Sequence, residues 1–160
     1  MRTFRSDAKF DVVSCLFSAI GHLRSERDLL RAFTNFAHLL RPGGVALVEP
    51  WLDPAQFRPG YVHLVSHQGP DLTVVRLSDS VRRGNRSIVR FHYLIAERGR
   101  KIRHVEVDDL GLMVPRRRLM QLLREAGFSP RFIPEGLTAG RGLLVGRKPG
   151  PLRKVESSRD

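Results

Sequence analysis

Several things that would have placed this sequence quickly are scarce or missing. Cys15 is the single cysteine among 160 residues, so there is no internal disulfide and a reducing compartment is expected. Lysine is nearly absent. Lys9, Lys101, Lys148 and Lys154 are the only lysines among 28 basic residues, and the rest are arginine. The longest uncharged apolar run, Val12 to Gly21, is too short to span a bilayer. The opening residues, Met-Arg-Thr-Phe-Arg-Ser-Asp, are too polar for a signal peptide. The net charge of +12 could serve nucleic acid, an acidic surface or an anionic substrate. No zinc-finger spacing, RNP-like motif or aromatic–basic platform accompanies it, and the arginines are scattered through every predicted element. The six histidines show neither His-x-x-x-His on a helix nor a carboxylate partner pattern, so no metal is expected. These absences describe a cytoplasmic protein that engages neither nucleic acid nor membrane.

What is present suffices for one core, with 41% apolar residues. Phe10 to Phe17 is an apolar run without alternation, which predicts a strand covered on both faces, as in a parallel sheet. Ser25 followed by Asp28 starts a helix, along which Leu29, Leu30, Phe33, Phe36, Ala37 and Leu40 form the apolar stripe. Arg41 suits the negative helix end, Pro42-Gly43-Gly44 stops it, and Val45 to Val48 is a second buried strand. Strand, helix and strand predict a right-handed parallel unit.

From about Tyr61 the pattern changes. Thr73 to Leu77, Ile88 to Ile95 and Ile102 to Val107 read as antiparallel strands, turned at Gly84-Asn85 and Arg98-Gly99. Val89, Phe91, Tyr93 and Ile95 share one face, which makes core packing the expectation for Tyr93. Pro115 opens a basic amphipathic helix carrying Leu119, Leu122, Leu123 and Ala126, with Gly127 as its stop. Arg131 to Pro134 and Gly142 to Gly146 are two closing strands, and a polar tail from Pro149 is expected to be disordered.

The blocks MRTFRSDAKFDVVSCLFSAIGHL, RPGGVALVEPW, FRPGYV, RLSDSVRRGNRSIVRFHYLIA, REAGF and GLTAGRGLLVG cover Met1 to about Gly146. In this order they resemble the S-adenosylmethionine-dependent N-methyltransferases that dimethylate the amino group of dTDP-linked 3-amino-deoxysugars. Pro-Gly-Gly before a strand is common to most class I methyltransferases; IGHL, EPW and GRGL together are specific. The resemblance implies a partial class I (Rossmann-like) α/β fold with strands in the order 4-5-7-6. Residues 1–148 would be the C-terminal two-thirds of the domain, 61–113 an antiparallel substrate-binding insertion, and 149–160 a tail. Strands one to three, and the Asp-x-x-x-Gly-x-Gly loop that holds the cofactor, have no counterpart in this sequence. Strand four would then present an open edge able to pair with another chain, as in a homodimer.

The same resemblance assigns candidate residues. His22 would stand beside the sugar amine, where an imidazole can orient the amine or accept its proton. Read from the residues alone, a helix-start histidine bonded to backbone is the favoured account, and the IGHL block in register reverses that preference. Arg141, flanked by Gly140 and Gly142, would grip the diphosphate with its planar fork. Glu49 and Trp51 end a strand beside His22; they read as ligand contacts or as a turn-capping acid and a core tryptophan. Tyr61 and His92 would line the nucleotide pocket. Cys15, Leu16 and Phe17 would pass beneath the methionine part of S-adenosylmethionine, and Met1 would flank its adenine. Cys15 has nothing near in sequence to activate its thiol, so it is not read as a nucleophile. The implied activity is methyl transfer to the amine of a small-molecule sugar nucleotide. The alternatives are a non-catalytic remnant that folds by pairing its open edge, and a class I methyltransferase for another small amine.

Overall fold

The computed structural model describes residues 1–138 and 140–151. These divide into two compact units, Met1–Asp53 with the chain from Val114 onward, and Pro54–Met113. In chain order, the first unit holds strand β1 (Phe10–Cys15), a short 3-10 helix (Ala19–His22), helix α1 (Glu26–Leu39) and strand β2 (Leu40–Val48). The chain returns to this unit with helix α2 (Arg116–Glu125) and two last strands, which are numbered after those of the second unit.

The second unit is one antiparallel sheet of four strands: β3 (His63–Gln68), β4 (Leu72–Arg83), β5 (Arg86–Glu97) and β6 (Arg103–Leu112), ordered as in the chain. Gly84 and Asn85 form the two-residue loop between the paired Arg83 and Arg86, with Gly84 at φ 61° as such a turn requires. The expected turn at Arg98-Gly99 joins β5 to β6. Strand β3 has no counterpart among the expected elements, and all six of its residues are exposed. Tyr93 is half-buried, its ring 6.2 Å from that of Phe91.

The first unit closes with β7 (Ser129–Ile133) and β8 (Leu143–Arg147). Its sheet runs β1-β2-β8-β7, with β1 and β2 parallel and the remaining pairs antiparallel. That is the expected order 4-5-7-6. Ser25 caps α1, its hydroxyl accepting from the Asp28 N–H at 3.2 Å, and Leu29, Ala32, Phe33, Phe36 and Leu39 form the buried stripe. Leu119, Leu122 and Leu123 of α2 complete this core with Phe128 and Leu144.

Three local expectations are corrected. Strand β1 is not covered on both faces: it is the sheet's edge strand, and Phe10 and Val12 are exposed. Leu40 belongs to β2 and not to the helix, so the chain is already extended before Pro42-Gly43-Gly44. The cation at the end of α1 is also not Arg41, which pairs with Asp11 at 3.0 Å. Lys148 reaches the carbonyls of Ala37 and Leu40 at 2.7 and 2.8 Å, and Lys9 reaches that of His38 at 2.7 Å. Two of the few lysines thus satisfy carbonyls that a helix C-terminus leaves without intrahelical partners. Residues 152–160 of the expected tail lie outside the described residues. Among the described residues, no helix is long and apolar enough to cross a membrane.

Candidate functional site

The C-terminal ends of β1 and β2 carry the site, as expected for an open α/β sheet. Just beyond β1, Phe17 and Ser18 both take left-handed conformations, φ 51° and 57°. Such backbone costs a non-glycine residue roughly 1–2 kcal/mol, and it persists where surroundings enforce it. Here the surroundings are the end of β2. The Glu49 carboxylate accepts the Phe17 N–H at 2.6 Å, and the Ser18 hydroxyl donates to the Pro50 carbonyl at 2.8 Å. The Glu49 N–H in turn donates to the Cys15 carbonyl at 2.9 Å.

Glu49 is fully buried, and its second carboxylate oxygen, Oε1, has no hydrogen-bond partner among the described residues. A buried acceptor in that state is costly and calls for a function or a ligand. Phe17 is 86% exposed: its backbone is held and its ring is left open.

Two further contacts tie distant blocks together. An added Cβ on Gly21 would lie 2.8 Å from Cβ of Trp51, so a hydrogen at position 21 is what lets the indole seat there. The Arg141 guanidinium lies over the same indole, 4.6 Å from the ring centroid, and also donates to the Ser18 hydroxyl. Blocks IGHL, EPW and GRGL therefore meet around Trp51 and Ser18.

Of the expected residues, the structure brings together Cys15, Phe17, Glu49, Trp51 and Arg141. Leu16, half-buried, lies within the same segment. His22 is exposed at the end of the 3-10 helix, directly after the glycine that packs on Trp51. Met1 lies elsewhere. With Phe4, Phe10, Val12, Val13, Phe36 and Leu39 it lines an apolar groove of about 450 Å³ along the β1 edge. Cys15 is buried, and burial raises its thiol pKa, which fits a packing residue and not a nucleophile.

Tyr61 and His92 belong to the second unit. Tyr61 is exposed and stacks on His63, with ring centroids 6.2 Å apart. His92 contacts His104 and Glu106. Sequence reasoning missed Ser18 and Gly21. The only trace of Gly21 was its place inside IGHL, and nothing in the sequence marks a serine in left-handed backbone.

No protein-family model matches the chain. Curated proteins do. It is 38% identical over 146 residues to the dTDP-3-amino-3,6-dideoxy-alpha-D-glucopyranose N,N-dimethyltransferase of Streptomyces fradiae, covering 91% of this chain and 57% of that one. It is 36% identical to the dTDP-3-amino-3,4,6-trideoxy-alpha-D-glucopyranose N,N-dimethyltransferase of Streptomyces venezuelae, covering 91% and 61%. Among solved structures, Streptomyces venezuelae DesVI superimposes with a TM-score of 0.86 at 36% identity, over 93% of this chain and 62% of that one. CalS10, an amino pentose methyltransferase from Micromonospora echinaspora with bound S-adenosylmethionine, gives 0.85 at 32% identity, over 92% and 61%. The chain thus spans about three-fifths of the length of these relatives. By sequence and by its partial class I methyltransferase fold, the chain resembles the dTDP-amino-deoxysugar N,N-dimethyltransferases over that part of their length.

Proposed function

We propose that this chain supplies the substrate side of an enzyme that methylates the amino group of a dTDP-linked amino-deoxysugar with S-adenosylmethionine. One observation carries the reading: Gly21, Trp51, Ser18 and Arg141, drawn from three separated blocks, meet at the ligand-binding end of the sheet. Arg141 is the residue that grips the diphosphate. Its guanidinium is pre-oriented by the indole on one side and Ser18 on another, so less side-chain freedom is lost on binding. Trp51 walls the pocket, and Glu49 fixes the turn that presents Phe17. In the second unit, Tyr61 and His92 are the residues that the family resemblance assigns to the nucleotide.

The exposed ring of Phe17, on a turn its backbone does not choose freely, suits the apolar side of a cofactor. Phe17, Leu16 and Cys15 would hold the methionine part of S-adenosylmethionine and Met1 its adenine. When bound, that cofactor supplies an electrophilic methyl group on a sulfonium sulfur. The residues of this chain act on the amine. His22 orients its lone pair towards the methyl group and takes up, at a ring nitrogen, the proton that the amine sheds.

The test combines mass spectrometry of a dTDP-3-amino-deoxysugar incubated with the chain and S-adenosylmethionine, and calorimetric titration with dTDP. Binding of dTDP is expected, with affinity falling at least about tenfold in Arg141→Ala, and any mass gain on the amine should be lost in His22→Ala. Absence of both methylation and dTDP binding overturns the proposal.

A second reading, a non-catalytic domain completed by a partner, is favoured by the exposed β1 edge and its apolar groove. It predicts dTDP binding without methylation, and a dimer by solution mass. A third, a methyltransferase for another small amine, predicts methylation of free amines and indifference to the nucleotide.

A further inference from the structure

The antiparallel sheet places three metal-ligating atoms at one point. His92 stands directly opposite Glu106 across β5 and β6, and His104 stands opposite Leu94, one diagonal step away on the same face. His92 Nδ1 is 3.2 Å from His104 Nε2 and 3.3 Å from Glu106 Oε1, and His104 Nε2 is 3.7 Å from the same oxygen. The two imidazoles are nearly parallel, at 9°, with centroids 5.4 Å apart.

A tetrahedral cation with bonds of about 2.0–2.1 Å holds its ligand atoms about 3.3–3.4 Å from one another. The three edges of this triangle straddle that length. The donor set, two imidazole nitrogens and one carboxylate oxygen, is the set that suits zinc and related borderline divalent metals. His92 sits in β5, paired on both sides, and His104 and Glu106 sit in the edge strand β6, whose register is fixed by ten residue pairs with β5, so the backbone arrangement exists before a metal arrives.

The surroundings also favour a dication. Arg90, the nearest cation along the same face of β5, is engaged by both oxygens of Asp79, at 2.9 and 2.5 Å, and Asp108 lies opposite it. The side chains of His92, His104 and Glu106 are 38%, 48% and 66% exposed, which leaves the fourth coordination position to water or an exogenous ligand.

We infer that His92, His104 and Glu106 form a surface binding site for a divalent transition metal of the zinc class, with three protein ligands and one open position. A hydrogen-bonded His–His–Glu cluster is the competing account, and it predicts no metal uptake. The site goes beyond the methyl-transfer proposal. That proposal uses His92 only as a nucleotide contact and has no role for His104 or Glu106.

The test is calorimetric titration of the tag-free, chelator-stripped chain with zinc chloride, together with the absorption spectrum of the cobalt(II) form. One equivalent of zinc is expected, with cobalt bands of four-coordinate intensity. His104→Ala and Glu106→Gln should each weaken zinc binding by more than about tenfold. His67→Ala, whose residue lies on the opposite face of the same sheet, should leave it unchanged. Glu106→Gln is nearly isosteric at an exposed position, so its loss of binding reports ligation and not unfolding. Failure of the wild-type chain to take up zinc, or equal binding in the His104 and Glu106 variants, overturns the inference.

Discussion

Gly21→Ala adds one methyl group, and the structure says where it must go. The new Cβ would sit 2.8 Å from Cβ and 3.1 Å from Cγ of Trp51. Carbon atoms in contact settle at about 3.5–4.0 Å, so the indole has to withdraw by roughly 1 Å or the 3-10 helix has to lift. Overpacking of this kind costs about 1–3 kcal/mol. For a chain of this length, that is a fall in Tm of roughly 2–12 °C.

The consequence should extend beyond stability, because the same indole carries the Arg141 guanidinium at 4.6 Å. Trp51 is the single tryptophan, so its fluorescence reports on this contact without interference. In the wild-type background, Arg141→Ala should change the emission of Trp51. In the Gly21→Ala background the same substitution should change it much less. The stability cycle for the two substitutions should show a coupling of about 0.5 kcal/mol or more. Unchanged emission in Gly21→Ala, with additive effects of the two substitutions, would refute the packing argument that joins IGHL, EPW and GRGL.

Other consequences can be checked separately. Glu49→Ala removes the acceptor that holds the Phe17 N–H and should destabilise the chain by roughly 2–4 kcal/mol in urea unfolding. Glu49→Gln keeps a carbonyl there and should cost at least about 1 kcal/mol less. The hydrogen bond from Arg2 is the main cause that holds the Asp28 carboxyl below its ordinary range, with Ser25 and Arg31 adding to it. The stability this pair contributes is present above the ordinary carboxylate pKa and is lost as pH falls through the lowered value. Arg2→Ala should therefore move the acid-unfolding midpoint to higher pH, and Asp28→Asn should abolish the difference. Burial raises the Cys15 thiol pKa, so a disulfide reagent at neutral pH should react with it far more slowly than with the unfolded chain. Rapid labelling of the native protein would contradict the burial.

Where local chemistry and tertiary structure agree, the sequence was readable. Ser25 and Asp28 mark the start of α1, the spacing of Leu29, Phe33 and Phe36 marks its buried face, and Gly84-Asn85 marks the tightest hairpin. The sheet order followed from matching blocks to a family, and no periodicity could have supplied it. Strand β3 was hidden because both of its faces are exposed, which removes the alternation that reveals a half-buried strand. Arg41 was assigned to the helix end by adjacency, whereas the carbonyls there are reached by Lys9 and Lys148 from other elements. The His92–His104–Glu106 cluster was invisible for a related reason. Its members are neighbours across a strand pair, a relation that ligand spacing along a single helix does not carry. At the candidate site, Glu49, Trp51 and Arg141 were named, but what joins them, Ser18 and Gly21, is backbone geometry and close approach.

The connectivity of the two sheets sets an order for folding. Strands β3 to β6 pair with their immediate successors, so each contact closes a short loop. The pairing of β2 with β8 joins residues such as Val45 and Arg147, and the whole of Pro54–Met113 lies in the loop it closes. Closure entropy grows with the length of flexible chain that must be spanned. An early hairpin unit would replace much of that flexible length with a folded body, and the late, non-local step would be the seating of β8. Pulse-labelling hydrogen exchange should then find the amides of β4 and β5 protected before those of β8, and the opposite sequence would show that the sheet of the first unit assembles independently of the segment inserted within it.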